Sequence, residues 1–186
     1  MKEKKKKRAD AGFTLAETLL AVLILLMVSV IVANGVPVAK NAYERVVIAS
    51  NAEILLSTTM STLRNELGLA DDVKVKDGVI TYYNQTLGVT SKICRNSDLG
   101  TEKIINHPDG AIMYQRYAKT DLSYGGGDIV RLVSKEASTH DLYVTYDSVV
   151  FNDGIITFKG LTPSRGSVSK YNFSIRVISY EPESSE

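Results

Sequence analysis

From Phe13 to Ala33 the chain runs for 21 residues with one charged side chain, Glu17. No other feature limits the fold as much. An α-helix rises 1.5 Å per residue, so about 20 apolar residues match the thickness of a hydrocarbon core. The run therefore predicts a membrane-spanning helix, placed over residues 13–36.

Charge sets the direction of that helix. Residues 1–12 hold six basic residues (Lys2, Lys4 to Lys7 and Arg8) against Glu3 and Asp10, whereas the rest of the chain holds 16 basic and 19 acidic residues. The overall charge of +1 hides this asymmetry. A basic run alone reads as a solvated tail or a nucleic-acid patch. One that abuts an apolar run reads as a topogenic signal, because positive residues resist translocation. The amino terminus is expected inside, everything after residue 40 outside, and no direct nucleic-acid binding is expected. A secretory signal peptide shares the basic start, and Ala33-Asn34-Gly35 loosely fits its cleavage site. Against it stand a run longer than the usual h-region of about 7–15 residues, the acid within it, and a second helical pattern that follows.

Glu17 is the residue that needs explaining. An acidic side chain at a bilayer centre costs about 2.5–3.5 kcal/mol on insertion scales, and intramembrane acids generally mark a functional contact. Glu17 lies one turn from the cytoplasmic edge, and no Lys, Arg or His occurs between Phe13 and Ala39. Proteolysis after Gly12 would create the missing cation, since Phe13 would gain a free amino group. Residues i and i+4 share a helix face, so that ammonium and Glu17 are placed to pair within one chain or between neighbours.

The segment Gly12-Phe13-Thr14-Leu15-Ala16-Glu17 behind a basic leader resembles the class III signal of type IV prepilins and the related type II secretion pseudopilins. The likeness covers about residues 1–40. It implies cleavage between Gly12 and Phe13 by a membrane prepilin peptidase and methyltransferase, with N-methylation of Phe13. It also implies that Glu17 neutralises the amino terminus of an adjacent subunit during assembly. The partners implied are that peptidase, other pilin subunits, a pilus assembly platform and the membrane. The product would be a filament subunit leaving the cytoplasmic membrane for an extracellular pilus or an envelope pseudopilus. The alternative is a bitopic, membrane-anchored binding or sensor domain that keeps its leader.

After the span, Val38 to Leu67 contains neither Gly nor Pro. Ala42, Val46, Ala49, Leu56, Met60, Leu63 and Leu67 recur at intervals of three and four residues, with Glu53 as the polar member of the series. This predicts an amphipathic extension over residues 37–67 with its apolar face on a domain. The two segments together make a helix of 55 residues, about 80 Å long. Asn34-Gly35-Val36-Pro37 is expected to interrupt it. Pro37 has no N–H for the carbonyl of Ala33, and Gly35 weakens the same turn, so a kink is placed at Gly35 and Pro37.

Gly68 reads as the helix C-cap, and residues 68–186 read as a β-rich domain. Asp77-Gly78 and Asp153-Gly154 each sit between strand-like runs and predict hairpins. Tyr171, Phe173, Ile175 and Val177 alternate with polar residues as a half-buried strand. Weaker strands are placed at Ala111–Tyr117, Asp128–Ser134 and Leu142–Tyr146, with loops at 92–110 and 118–127. The expected fold is α+β, with an antiparallel sheet laid on the outer half of the long helix, which the resemblance makes pilin-like. Cys94 is the only cysteine, so no internal disulfide is possible. His107 and His140 lack zinc-ligand spacing. No catalytic constellation stands out, so neither enzymatic activity nor a metal or cofactor is expected.

Overall fold

The computed structural model describes residues 14–117, 127–134, 139–166 and 169–178. The chain is α+β and divides into two compact units, Met1–Glu44 and Arg45–Glu186. One long helix, α1 (Leu15–Leu67), starts in the first unit and ends in the second.

In the first unit every described residue is exposed. Helix α1 is continuous, with Gly35 and Pro37 inside it. Proline there removes one backbone hydrogen bond and does not end the helix. Around Gly35 a Cβ would meet nothing within 4 Å.

The second unit holds the core. Its part of α1 buries Ala52, Leu55, Leu56, Thr59, Leu63 and Leu67. These residues recur at three, four, seven, eleven and fifteen positions from Ala52, one face of a 3.6-residue period. The expected stripe is thus half right. Leu56, Leu63 and Leu67 are buried, whereas Ala42 and Val46 are exposed because the domain first packs on the helix at Ile48; Glu53, beside the buried face, is exposed as well. The helix ends where Gly68 N–H donates to the Arg64 carbonyl at 2.9 Å.

Among the described residues, two antiparallel sheets complete the unit. The first has the order β1 (Ala70–Lys76), β2 (Val79–Asn84), β3 (Val89–Arg95), β4 (Ile112–Tyr117) and β5 (Val130–Arg131). In the second, β8 (Ile155–Pro163) pairs with β6 (Val144–Thr145), β7 (Ser148–Asn152) and β9 (Tyr171–Arg176). Both expected hairpins are present. Asp77 and Gly78 have φ of 51° and 81°, and Asp153 and Gly154 have 50° and 73°. Two successive left-handed residues make the two-residue turn whose twist matches paired strands, and Asp-Gly is the sequence that tolerates it.

Three strand expectations need correction. Residues 92–95, placed in a loop by the sequence, belong to β3. Asp128–Ser134 and Leu142–Tyr146 shrink to two-residue strands, β5 and β6. The expected single sheet is two, one on each side of a shared core. Ile80, Ile93 and Tyr114 from the first sheet meet Ile156, Phe158 and Phe173 from the second around the buried face of α1. A smaller cluster on the other face of the first sheet packs Cys94, Leu99, Ala111 and Met113 under residues 96–111.

Candidate functional site

Of the sequence-predicted site residues, Gly12 and Phe13 lie outside the described residues. Glu17 is the fourth described residue of the chain. Its carboxylate is held by hydrogen bonds from Thr14. Its Oε2 accepts from the Thr14 backbone N–H at 2.8 Å and from the Thr14 hydroxyl at 3.0 Å. In return the Glu17 N–H donates to Thr14 Oγ1 at 3.3 Å. The Thr14 carbonyl accepts the first helical bond, from Thr18 N–H at 3.2 Å. This is a reciprocal capping box, with Thr14 as N-cap and Glu17 three residues on. The signal for it, Thr-x-x-Glu ahead of an apolar run, stands in the sequence at Thr14 and Glu17. Among the described residues Glu17 Oε1 takes no hydrogen bond.

The helix behind this cap is uniformly apolar and exposed. Leu19, Leu20, Val22, Ile24, Leu25, Leu26 and Met27 expose between 53% and 67% of their surface. This one helix is long and apolar enough to cross a membrane, and none of its apolar window is buried within the chain. Its few hydroxyls turn back on the helix. Thr18 donates to the Leu15 carbonyl and Ser29 to the Leu25 carbonyl, both at 2.8 Å. Such back-bonding leaves no side-chain donor facing an apolar medium. The first cation after the run, Lys40, pairs with Glu44 at 3.8 Å.

A second carboxylate on the same helix, Glu66, is set quite differently. Its Oε2 accepts from Tyr82 OH at 3.1 Å, Asn84 Nδ2 at 3.2 Å and Tyr114 OH at 3.4 Å, and Arg116 lies 3.7 Å from Oε1. Four side chains from two strands of the first sheet converge on it. Burial, and then the nearby Glu66 charge, push the Tyr82 phenol well above the ordinary tyrosine range. The cluster ties α1 to β2 and β4.

Elsewhere the chemistry is quiet. Cys94 is buried and unbridged, and burial pushes its thiol up to about 11, so it is a poor nucleophile at neutral pH. Among the described residues no three His, Cys, Asp or Glu side chains gather as a metal would require. His107 lies between the 96–102 segment and β4, and His140 occupies a left-handed position with φ of 60°. The Gly-rich run 125–127 falls mostly outside the described residues.

Comparison with protein-family models, with curated proteins and with solved structures finds no match.

Proposed function

We propose that this chain is a structural subunit of a type IV pilus or a related pseudopilus. It is made as a precursor in the cytoplasmic membrane, cut between Gly12 and Phe13, methylated at Phe13, and polymerised through α1. The architecture, a long helix with a β-rich unit on its outer half, is in keeping with a pilin-like fold. The observation that carries the reading is the pairing of two features. Residues 15–46 bury nothing within the chain, and the one carboxylate in their apolar part sits in their first turn. A plain anchor gains only a helix cap from an acid there, whereas a subunit also needs a contact for the amino group of its neighbour.

The capping box sharpens how that contact works. Both Thr14 bonds end on Glu17 Oε2 and hold the carboxylate at the helix start. A neighbouring Phe13 ammonium meets an oriented acceptor rather than a mobile one. In a water-poor assembly such a pair is worth more than at a surface, and a misregistered pair leaves a charge without a partner. Proline at 37 and glycine at 35 give α1 its weakest turn, where we place local unwinding on assembly. Amide exchange in filaments tests this: protection at 31–37 equal to that at 20–28 argues against unwinding.

The decisive experiment is amino-terminal mass spectrometry of the full chain co-expressed with a prepilin peptidase. The expected mature terminus is N-methylated Phe13. An intact leader, or a cut near Gly35, would make the chain a bitopic anchored domain or a secreted one and end the pilin reading. Glu17→Ala is expected to be processed normally and to enter filaments at a tenth of the wild-type level or less. Normal incorporation of that variant would remove the carboxylate from assembly. Gly12→Ala is a weaker probe, since alanine is also small.

A further inference from the structure

Strand β9 ends at Arg176, and the backbone then crosses to the end of α1. Val177 N–H donates to the Gly154 carbonyl at 2.8 Å, and Ile178 N–H donates to the Gly68 carbonyl at 3.2 Å. Gly68 is itself fixed, because its N–H sits on the Arg64 carbonyl at 2.9 Å. Residue 179 therefore starts from a set place, beside the junction of α1 and β1.

An open cleft of about 510 Å³ lies at that place. Leu69, Ile175 and Ile178 line it, together with Arg64 from α1 and Arg176 from β9. Leu69 and Ile178 expose 55% and 66% of their surface, although their neighbours Ala70 and Val177 are buried. Arg64 lies over the Phe173 ring, 5.5 Å from its centroid. Stacking of this kind uses the flat face of the guanidinium and leaves its N–H donors free at the edge. Among the described residues, neither Arg64 nor Arg176 pairs with a carboxylate. Two cations beside exposed apolar surface fit an acidic segment that also carries an apolar side chain.

The residues that follow Ile178 have that character. They read Ser179-Tyr180-Glu181-Pro182-Glu183-Ser184-Ser185-Glu186, with three acids and no cation. Tyr180 supplies a large apolar ring with a polar tip. Pro182 biases Glu181 toward extended backbone, which lowers the entropy lost on docking. Three extended residues span about 10 Å. Glu181 is three residues past Ile178, and Arg64 is one helical turn before the Gly68 that Ile178 bonds, so the two are within reach. The segment is tethered at the edge of the cleft and meets it at high effective concentration. Ion pairs that are individually weak suffice there.

We propose that residues 179–183 of the chain lie in this cleft, with Glu181 and Glu183 on Arg64 and Arg176 and Tyr180 against Leu69. The segment is then a strap that fastens the end of β9 to the end of α1. It shields the bond from Ile178 to Gly68 from water. The contact is made within one chain and needs no assembly, so it stands or falls apart from the filament reading.

The experiment is amide exchange of the full chain in detergent, read by mass spectrometry on its carboxyl-terminal peptides. A free peptide of residues 176–186 is the unstructured reference. The amides of 179–183 are expected to exchange at least tenfold more slowly in the protein than in the peptide. Exchange at the peptide's rate overturns the strap. Glu181→Lys with Glu183→Lys changes no residue of the folded unit described above, so folding is not at stake in it. This variant is expected to lose the protection and to speed exchange of the Ile178 amide at least threefold. Protection that survives it overturns the ion pairs. Adding Arg64→Glu and Arg176→Glu to the same variant reverses both sides and is expected to restore the protection. A folded quadruple variant with an unprotected tail overturns the pairing. Protection in the wild type that fades on dilution places the tail in the cleft of a second copy and overturns the strap as well.

Discussion

Leu25 and Leu63 are the same residue on the same helix, yet Leu25 exposes 67% of its surface and Leu63 none. Residues 15–46 contain apolar side chains on every face and bury no side chain. From Ile48 onward the apolar side chains gather on one face, and two sheets cover it. The carboxylates follow the same division. Glu17 is satisfied by one residue of its own first turn, whereas Glu66, with its side chain 20% exposed, is satisfied by four residues from two strands. The outer half of the helix finds its partners within the chain. The inner half buries no side chain there, and on the proposed reading lipid and other copies supply its partners, with Glu17 as the specific contact.

The widest gap between the two halves is expected in the core. Leu63→Ala removes a fully buried side chain and should destabilise the β-rich unit by about 2–5 kcal/mol. Leu25→Ala should leave the unfolding of that unit unchanged. Denaturant unfolding of the full chain in detergent, followed by near-ultraviolet circular dichroism of the tyrosines, measures both. Equal shifts for the two variants would erase the distinction between the halves.

Next in size is the Glu66 cluster. Glu66→Ala leaves the Tyr82, Asn84 and Tyr114 donors without their acceptor, at a cost of about 2 kcal/mol. Glu66→Gln keeps an oxygen at nearly the same place and should recover at least half of that loss. The same unfolding assay separates them. If the two variants match, acceptance by Glu66 is not what ties α1 to the sheet.

The parts of the fold that were legible in sequence are those decided locally. Asp77-Gly78 and Asp153-Gly154 announce their turns because few other dipeptides accept two left-handed residues in succession. Strand β9 alternates cleanly because Phe173 and Ile175 face the core while Asn172 and Ser174 face out. Strand β3 was missed for the opposite reason. Residues 96–111 fold over its second face, so Ser91, Ile93 and Cys94 are all buried and no period of two survives. The helix stripe was extended too far toward the amino terminus because a periodic pattern does not say where the covering domain stops. At the candidate site, Glu17 in the first turn of α1 is legible from residue type and spacing, whereas Gly12 and Phe13 lie outside the described residues. Thr14 is legible too, as the first residue of a Thr-x-x-Glu capping box, a signal that rests on a hydroxyl and not on charge.

Thr14 gives the smallest and most local of the expected effects. Thr14→Val keeps the branched shape and the backbone N–H, so Glu17 retains one of its two bonds. It removes the hydroxyl that donates to Glu17 Oε2 and accepts from Glu17 N–H. Loss of an N-cap costs about 1 kcal/mol, a factor of about five in the opening equilibrium. Amide exchange of the full chain in detergent should therefore run about fivefold faster at Ala16 to Thr18 and unchanged around Leu63. In assembly the variant should fall between wild type and Glu17→Ala, because the carboxylate remains but its orientation is less fixed. If Thr14→Val exchanges and assembles like wild type, the backbone bond from Thr14 N–H alone orients Glu17. If it assembles as poorly as Glu17→Ala, the hydroxyl is itself part of the contact with the neighbouring chain, and the cap and the assembly contact are one structure.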